Sequence, residues 1–514
     1  MLKFNKVAVC SIFAIAISMV PVQAAAQGSA QTVPAAAPLP VATPQAAAPQ
    51  RKSITQLSPG EVASLRKAYA QMRAWNNAPK DSNDYRRSLQ YWANMHAYIG
   101  DPCAPASALK NPGMSGLSVQ QASTPDQQAT WCKCQHSKGG QENLQFLTWH
   151  RMYLYYFEQV LQAASGDSTL RLPFFDYETD SHLPRAYGEG NAATNSLFEA
   201  NRFKGLNAGT VSLDPADVDT SDSMRQTTYA AFNGQLEQSP HGAVHCDIGV
   251  DSCPSGYMGY VPTAGNDPIF YSHHANIDRL YECWTQVDPR NRMPSDPNQL
   301  AATFSFPDGT GTIVTRQVKD MLTTAGLGYS YPAGGGCPAN AKPVQAADSF
   351  TEAPAAAPAA APRVVQSAPL LGPIRLNRGV TRRQVTIHPG IQEKLTQEGP
   401  GNPRSLLVIE DIRFDVPPRV HFRVYLEVRG RRELVGTVNF FGLTAHQGHG
   451  HDGGRFEFDA TDALLALNLA PGTRPTVVIE PDTGIREHSL ETAVARLSPK
   501  ANVRFGQVRI DVVQ

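Results

Sequence analysis

Histidines in the middle of the chain follow a spacing that few folds can accommodate. His241 and His245 lie four residues apart, so a helix would present both imidazoles on one face, directed at one ion without bending the backbone. His150 precedes them and His273 with His274 follow them, each in a segment of helical apolar period. The pattern predicts a metal site between helices, and imidazole suits copper, zinc, iron and nickel alike.

Residues 51–341 are predicted to form a mainly α-helical domain with a four-helix-bundle core. Ser58 and Glu61, with Pro59 between them, have the spacing of a capping box and predict the start of an early helix. Bundles of this kind build dinuclear metal centres from inward-facing side chains. Four further segments have a helical period and are separated by long loops rich in Gly, Pro and Asn: residues 84–100, 144–164, 239–244 and 273–287.

Residues 370–514 change from a helical to an alternating period. Apolar residues occupy every second position from Val420 to Val428, as in a half-buried strand. The pattern is typical of a β-sandwich, so the whole chain is predicted to be an α+β multidomain protein. Further short strands are predicted at residues 406–410, 434–441, 455–458, 476–480 and 503–513.

A leader and two Ala/Pro tracts divide the chain. Residues 1–24 contain basic residues, then an apolar stretch and a small-residue cleavage site, which predicts a secretory signal peptide and a secreted or periplasmic protein. The apolar stretch is short for a membrane span, and no other segment is apolar enough to cross a bilayer. Residues 25–50 are predicted to be a disordered lead-in, and residues 342–369 a linker between two folded domains.

The charge balance excludes some classes of partner. The chain has 45 basic and 45 acidic residues, and nothing in their distribution suggests a nucleic-acid or anionic-membrane partner. No internal repeat is visible. The sequence does not indicate the oligomeric state.

Two long gapped patterns add a resemblance to a known family. Residues 150–158 read His-Arg-x-x-Leu-x-x-x-Glu, and residues 267–278 read Asp-Pro-x-Phe-Tyr-x-x-His-x-x-x-Asp. In this order they resemble the two signatures of the tyrosinase, catechol oxidase and molluscan haemocyanin family of type 3 copper proteins. The resemblance implies two copper ions, each held by three histidines.

The second copper takes its ligands from the later pair of helical segments. The family pattern carries over to His241, His245 and His274. His273 stands beside the last of these ligands and is not expected to bind. Asp267, which begins the second signature, is expected to fix the turn into the last helix.

The first copper takes its ligands from three separate segments. His150 is carried by the first signature, and His96 lies on the inward face of segment 84–100, where a core histidine is the alternative. The third ligand is His136, although the stretch from it to His150 is longer than the family pattern. We therefore predict a Gly-containing insertion between them; the alternative is that His136 is a surface-loop histidine.

Cys134 lies two residues before His136, a spacing that resembles fungal tyrosinases and molluscan haemocyanins. In those proteins the cysteine sulfur is bonded to the ring of the middle first-copper histidine; an ordinary disulfide is the alternative. Of the 8 cysteines, Cys10 lies in the leader, and an odd number remains. With Cys134 in a thioether, an even set is left for disulfides. Sequence proximity favours two pairs, Cys246 with Cys253 and Cys103 with Cys132.

Residues near the ligands are expected to tune the chemistry. Glu237 matches the family glutamate that holds a water near the coppers; as a mere helix N-terminal acid it would contribute about 0.3–1 kcal/mol. Val261 stands where plant catechol oxidases place a bulky aromatic over the first copper, which leaves room for a substrate ring. Gly242 stands where many monophenol-hydroxylating members carry Asn. Asp278 and Arg279 are expected to support the ligands from behind.

Two further resemblances concern the ends of the helical domain and the C-terminal domain. Residues 328–331 resemble the tyrosine motif that closes the helical domain, and Arg51 resembles the arginine that pairs with it. Residues 408–416, 435–440 and 446–451 resemble the C-terminal domain of plant polyphenol oxidases. In those enzymes this domain lies over the copper pocket, so it is expected to shield the site.

The resemblance implies an enzyme that oxidises o-diphenols to o-quinones with O2 at two copper ions, with monophenol hydroxylation as a weaker activity. Its partners are O2 and phenolic small molecules. The alternatives are an o-aminophenol oxidase, a haemocyanin-like O2-binding protein and a zinc-bearing structural homologue. A two-domain chain without repeats favours the enzyme.

Overall fold

The structure is a computed structural model that describes residues 48–137, 143–287, 292–332, 335–337, 364–367, 372–376, 379–387, 390–395, 403–443, 453–470 and 472–513. The predicted signal peptide, most of the predicted lead-in and linker, the predicted insertion after His136 and the histidine-rich segment 446–451 lie outside the described residues. No helix within the described residues is long and apolar enough to cross a membrane.

Helices dominate the region before residue 341, hereafter the helical region. α1 begins at the predicted capping box, where Ser58 Oγ accepts from the Glu61 N–H and the Glu61 carboxylate accepts from the Ser58 N–H. Gly166, with φ of 71°, ends α5 in the left-handed conformation. The helices are α1 (Pro59–Ala74), α2 (Asn83–Arg86), α3 (Leu89–His96), α4 (Pro125–Thr130), α5 (Phe146–Ser165), α6 (Arg185–Gly188), α7 (Ser221–Met224), α8 (Tyr229–Leu236), α9 (Ala243–Ile248), α10 (Ile269–Val287) and α11 (Pro297–Ala301).

The helix expected around His241 is interrupted. Ser239 has φ of −149° and ψ of 132°, which is extended backbone between α8 and α9. Pro240 explains the break, because proline has no N–H to donate and disfavours helical backbone at the residue before it. Only Ser239 departs from helical backbone between Glu237 and α9, so the helical backbone resumes at Pro240 and carries both His241 and His245.

Strands dominate the region from residue 370 onward, hereafter the C-terminal region, so the α+β class is confirmed. One strand, β3 (Val364–Ser367), lies just before this region, within the predicted linker, and pairs with its last strand. The predicted strand at 420–428 is β7, which pairs antiparallel with β8 and β10. One sheet has the order β5-β10-β7-β8 and the other the order β3-β11-β6-β9, with β4 beside β11. The strands are β3 (Val364–Ser367), β4 (Ile374–Arg375), β5 (Thr381–Gln384), β6 (Arg404–Arg413), β7 (His421–Val428), β8 (Arg431–Val438), β9 (Gly454–Asp459), β10 (Thr476–Asp482) and β11 (Arg504–Val513).

Some elements were not predicted from the sequence. An antiparallel hairpin, β1 (Thr303–Pro307) with β2 (Ile313–Gln317), belongs to the helical region. The C-terminal region contains three short helices, α12 (Ile391–Leu395), α13 (Thr461–Leu467) and α14 (Leu490–Arg496). Each region has its own large apolar core, yet Ala48–Gln514 form one compact unit.

The predicted pairing of Arg51 with the tyrosine motif is confirmed. The Arg51 guanidinium donates to the Tyr331 hydroxyl at 2.8 Å and to Glu158 at 2.8 Å. The hydroxyls of Tyr329 and Tyr331 both donate to Asp278, at 2.7 and 2.9 Å. This buried network joins the beginning and the end of the helical region.

Three disulfides are present among the described residues. The two predicted pairs, Cys103–Cys132 and Cys246–Cys253, are confirmed, and Cys283–Cys337 is the third. The first disulfide joins the loop after α3 to the segment that leads to His136. Two of the elements that carry predicted ligands are therefore linked covalently.

Candidate metal centre

The structure brings the six predicted copper ligands together as two groups of buried side chains. His96, His136 and His150 are called the first histidine group, and His241, His245 and His274 the second histidine group. No member is more than 8% exposed. The rings of His150 and His274 stack with their centroids 4.2 Å apart, so the two groups face each other across one small space.

The first histidine group draws on two helices and a loop. His96 is the last residue of α3 and His150 lies in α5, whereas His136 lies in the loop between α4 and α5. The Nε2 atoms of His96 and His136 are 3.3 Å apart. Cys134 Sγ lies 3.6 Å from His150 Nε2, and these four side chains each offer a metal-binding atom within 4.8 Å of the others. Cys134 therefore lies at the centre itself, and its bond to His136 stays a prediction.

The second histidine group is carried by consecutive helical turns and by α10. The Nε2 atoms of His245 and His274 are 3.4 Å apart. His273 also lies here: its ring stacks on that of His241 with centroids 5.4 Å apart, and neither of its ring nitrogens has a hydrogen-bond partner. His273 thus stands beside His274, close to the other ligands of this group.

Hydrogen bonds to the outer ring nitrogens leave the inner ones free. A carbonyl oxygen only accepts, so each Nδ1 that contacts one carries the ring proton, and its Nε2 keeps a lone pair. His241 Nε2 is buried without a hydrogen-bond partner. The Nδ1 atoms of His96, His150, His241 and His245 lie 3.1, 2.7, 2.9 and 2.8 Å from the carbonyl oxygens of Val261, Phe146, Glu237 and Met258.

Burial keeps these imidazoles neutral. Desolvation, reinforced by the neighbouring histidines, lowers the pKa well below its usual value in His96, His150, His241, His245 and His274. Neutral imidazoles with free, converging lone pairs are the form that binds a metal, and carbonyl partners on the far nitrogen fix their orientation. The residues present therefore fit two copper ions.

Glu237 secures the loop that carries His136. Its Oε1 accepts from the Ser137 N–H at 2.7 Å and lies 3.2 Å from His136 Nδ1, and its Oε2 accepts from the Ser137 hydroxyl at 2.6 Å. Both carboxylate oxygens are thus engaged by the loop. Ser137 was not singled out from the sequence, although a hydroxyl residue directly after a loop ligand is a signal that could have been used.

Asp278 and Arg279 follow His274 by four and five residues in α10 and lie in buried polar networks, and their support of the histidines stays a prediction. Asp278 accepts from the Arg151 guanidinium at 2.6 Å and from the tyrosine motif. Burial raises the pKa of Asp278, but the neighbouring arginines outweigh it and hold that pKa below its usual value. Arg279 donates to Asn276 at 2.8 Å. Asp267 accepts from the Ile269 N–H at 3.1 Å, which confirms that it fixes the turn into α10.

Val261 and Gly242, the two residues expected to shape the substrate pocket, have different surroundings. Val261 is half-buried, and its carbonyl holds the ring of His96. A side chain at Gly242 would place its Cβ 2.9 Å from Asn439 Oδ1, because Asn439 reaches across from the C-terminal region. Asn439 also donates to the Gln238 carbonyl at 3.0 Å. The space beside Gly242 is therefore filled by the C-terminal region.

Phe441 is the residue at the centre that sequence reasoning missed. Its ring stacks on that of His245, with centroids 4.0 Å apart and 10° between the planes. The ring also lies nearly perpendicular to those of His136 and His241, with centroids 5.8 and 5.4 Å away. A cavity of about 420 Å³ lies beside it, between the two regions. Phe440 and Phe441 are successive aromatics after β8, and this break in the alternation was an available signal.

Residues 86–217 and 191–287 match the family model described as the common central domain of tyrosinase. This central part of the chain, which carries both histidine groups, is therefore similar to tyrosinases. A chloroplastic polyphenol oxidase of Vitis vinifera is 30% identical over 245 residues, 39% of this chain and 40% of the relative. A tyrosinase of Hahella sp. (strain CCB-MM4) is 31% identical over 280 residues, 48% of this chain and 53% of the relative. The matches thus span about half or less of these relatives.

Solved structures extend the likeness of this chain beyond the central domain. Latent aurone synthase, a polyphenol oxidase, has a TM-score of 0.57 at 20% identity and covers 92% of this chain and 90% of its own. Latent apple tyrosinase has a TM-score of 0.54 at 20% identity, with 91% and 98% covered. At this identity the likeness concerns the fold, and it includes the C-terminal region.

Proposed function

We propose that this protein is a copper-dependent polyphenol oxidase that oxidises o-diphenols to o-quinones with O2. The observation that carries the proposal is the pair of histidine groups, whose rings face each other and whose Nε2 atoms approach to 3.3 Å in the first group and 3.4 Å in the second. Two bound coppers would supply two-electron exchange with O2. The reaction balances when two diphenols and one O2 give two quinones and two waters.

Oxidation of o-diphenols is expected to exceed hydroxylation of monophenols. Val261 leaves room for a phenol ring beside the first histidine group. A monophenol must lose its proton to a nearby base before it reacts. Glu237 is the expected base, but the loop around His136 occupies both of its oxygens, and Gly242 has no side chain to help hold a water.

We further propose that the C-terminal region, residues 370–514, is a β-sandwich that shields a four-helix-bundle copper centre in residues 51–341 and makes the enzyme latent. Phe441, stacked on His245, is the support for this proposal. A tethered domain has an effective concentration of millimolar order, so even weak docking excludes substrate. The linker at 342–369 would give a protease access. The leader at 1–24 would direct the chain to secretion.

Oxygen uptake with catechol, an o-aminophenol and a matched monophenol tests the proposal. Copper-loaded protein is compared intact, cleaved within residues 342–363, and as Phe441→Ala. We expect the last two forms to oxidise catechol about tenfold faster than the intact chain at equal copper content, because the apolar cover over His245 has been removed. Leu434→Ala, at an exposed site on β8, is the matched control and should behave like the intact chain.

Each proposal has its own contrary result. Reversible O2 binding without turnover of any phenol by the cleaved protein would favour a haemocyanin-like O2-binding protein. Preference for the o-aminophenol over catechol would change the substrate assignment. An isolated 51–341 fragment that keeps both coppers but works no faster than the full chain would show that the C-terminal region is not a shield.

A further inference from the structure

A second cluster of metal-binding side chains lies between the helical and C-terminal regions. Asp217 lies in the long loop between α6 and α7, Asp247 lies in α9, and His421 begins β7. All three are fully buried. Each offers a ligand-type atom within 4.8 Å of the others. None of the three belongs to either histidine group.

The geometry of this cluster is not that of an ordinary ion pair. His421 Nε2 and Asp247 Oδ1 are 2.9 Å apart, yet neither ring nitrogen of His421 nor either carboxylate oxygen of Asp247 makes a hydrogen bond within the described residues. A histidine paired with a carboxylate would point its N–H at the oxygen. Here the two atoms are at ion-pair distance, but the groups are not oriented for a hydrogen bond between them.

Each fully buried carboxylate of the cluster has one cation beside it only while His421 is protonated. Asp217 receives both arms of the Arg423 guanidinium, at 2.9 and 3.0 Å. Arg423 also contacts Asp214 and Asp482, which are partly exposed to solvent. His421 is thus the cation that faces Asp247, and a buried carboxylate without such a partner would be costly.

Gly484 keeps the space between the two atoms open. A side chain there would place its Cβ 1.8 Å from Asp247 Oδ1 and 2.6 Å from His421 Nε2. Its φ of 70° also favours glycine.

We propose that Asp217, Asp247 and His421 form a third metal site, which binds one Zn²⁺ and fastens the C-terminal region to the helical region. Two carboxylates and one imidazole are oxygen and nitrogen donors that suit zinc. A bound zinc would replace the His421 proton as the positive charge beside Asp247, because an imidazole that ligates a metal is neutral. Asp247 lies two residues after His245, so the ion would fasten the C-terminal region to the helix that Phe441 covers. The site does not depend on the proposed oxidase reaction.

Metal analysis of the full-length, copper-loaded chain after equilibration with Zn²⁺ and gel filtration tests the site. We expect one zinc in addition to two coppers in the parent protein. His421→Gln and Asp247→Asn should each lose that zinc and keep both coppers, with unchanged far-ultraviolet circular dichroism. His488→Gln, a histidine elsewhere in the C-terminal region, is the matched control and should keep the zinc.

A second measurement covers the case in which the variants do not fold. Anomalous diffraction of the parent protein across the zinc edge should give one peak among Asp217, Asp247 and His421, with ligand distances of about 2.0–2.2 Å. A variant with the histidines of segment 446–451 changed to Gln should keep this peak. The proposal is overturned if the parent binds no more zinc than His421→Gln, if the peak lies elsewhere, or if a third copper occupies the cluster.

Discussion

The two histidine groups differ in what holds them. The second group lies on α10 and on the joined turns around α9, and the i, i+4 spacing of His241 and His245 sets its geometry. The first group depends on His136, a loop residue that contacts Glu237 at the end of α8, and the neighbouring Ser137 N–H donates to the same carboxylate. A helix holds a ligand through its own backbone, whereas a loop needs side-chain contacts. The first group should therefore be the one that distant substitutions weaken.

The largest expected effect comes from removing a helical ligand. His245→Ala should reduce copper from two to about one per chain and bring catechol turnover to background, because the second group has no spare carbonyl-anchored imidazole. Copper analysis and oxygen uptake measure both. His182→Ala, at an exposed histidine, is the control. Substantial turnover by His245→Ala, with His273 taking the place of the lost ligand, would contradict the prediction.

The second prediction concerns the contacts that hold the loop with His136, and it is measured as the affinity for the first copper. Glu237→Gln should weaken the first copper by about 10–100-fold, the usual cost of losing a group that orients a ligand, and leave the second copper unchanged. Competition with a chelator, followed by copper analysis, resolves the two affinities. Glu491→Gln is an exposed control. Equal loss from both groups would mean that the two are not supported independently.

A smaller effect, on the turnover of bulky diphenols, is expected from a substitution of Val261 beside the first histidine group. Val261→Phe should slow bulky diphenols by about tenfold more than catechol, because one added ring fills pocket space and steric discrimination of this kind is limited. Steady-state oxygen uptake with a bulky and a small diphenol gives the ratio, and Val261→Ala is the matched control. If both substrates slow equally, Val261 does not line the substrate space.

The smallest effect on activity concerns Cys134. If its sulfur is joined to the His136 ring, the tryptic peptide 134–138 should be lighter by the mass of two hydrogens and should resist alkylation after full reduction. Cys134→Ser should then lower first-copper affinity by less than Glu237→Gln does, because Glu237 still holds the loop. Recovery of alkylated Cys134 from active, copper-loaded protein would rule out the thioether.

The difference between ligands held by a helix and a ligand held by a loop also determined what could be predicted from the sequence. Local periods placed α5, α10, β7 and the paired His241 and His245, because those signals lie within a few residues. Long-range partners left no local signal: Glu237 meets Ser137 across 100 residues, and Asn439 meets Gln238 across 201. Phe441 ends the predicted strand 434–441, and although the pair Phe440–Phe441 breaks the alternation there, the sequence does not say which surface Phe441 faces.

Predicted helix boundaries were wrong where a single residue interrupts a helical pattern of apolar residues. The helical pattern of 84–100 ends at His96, because Ala97 is extended at φ of −165°. Pro240 likewise broke the helix expected near His241. The third disulfide, Cys283–Cys337, could not be ranked because its cysteines are 54 residues apart. Spacing identifies ligands more reliably than it identifies what surrounds them.

The network around Arg51 sets an order of events during synthesis. Arg51 is made 280 residues before Tyr331, which at 5–20 residues per second is a wait of roughly 15 to 60 s. Asp278 also arrives late, so the helical region completes its buried network when residue 331 is available. Phe441 is made only afterwards, together with most of the strands. Both histidine groups are therefore synthesised before Phe441, the residue that covers His245 in the finished chain.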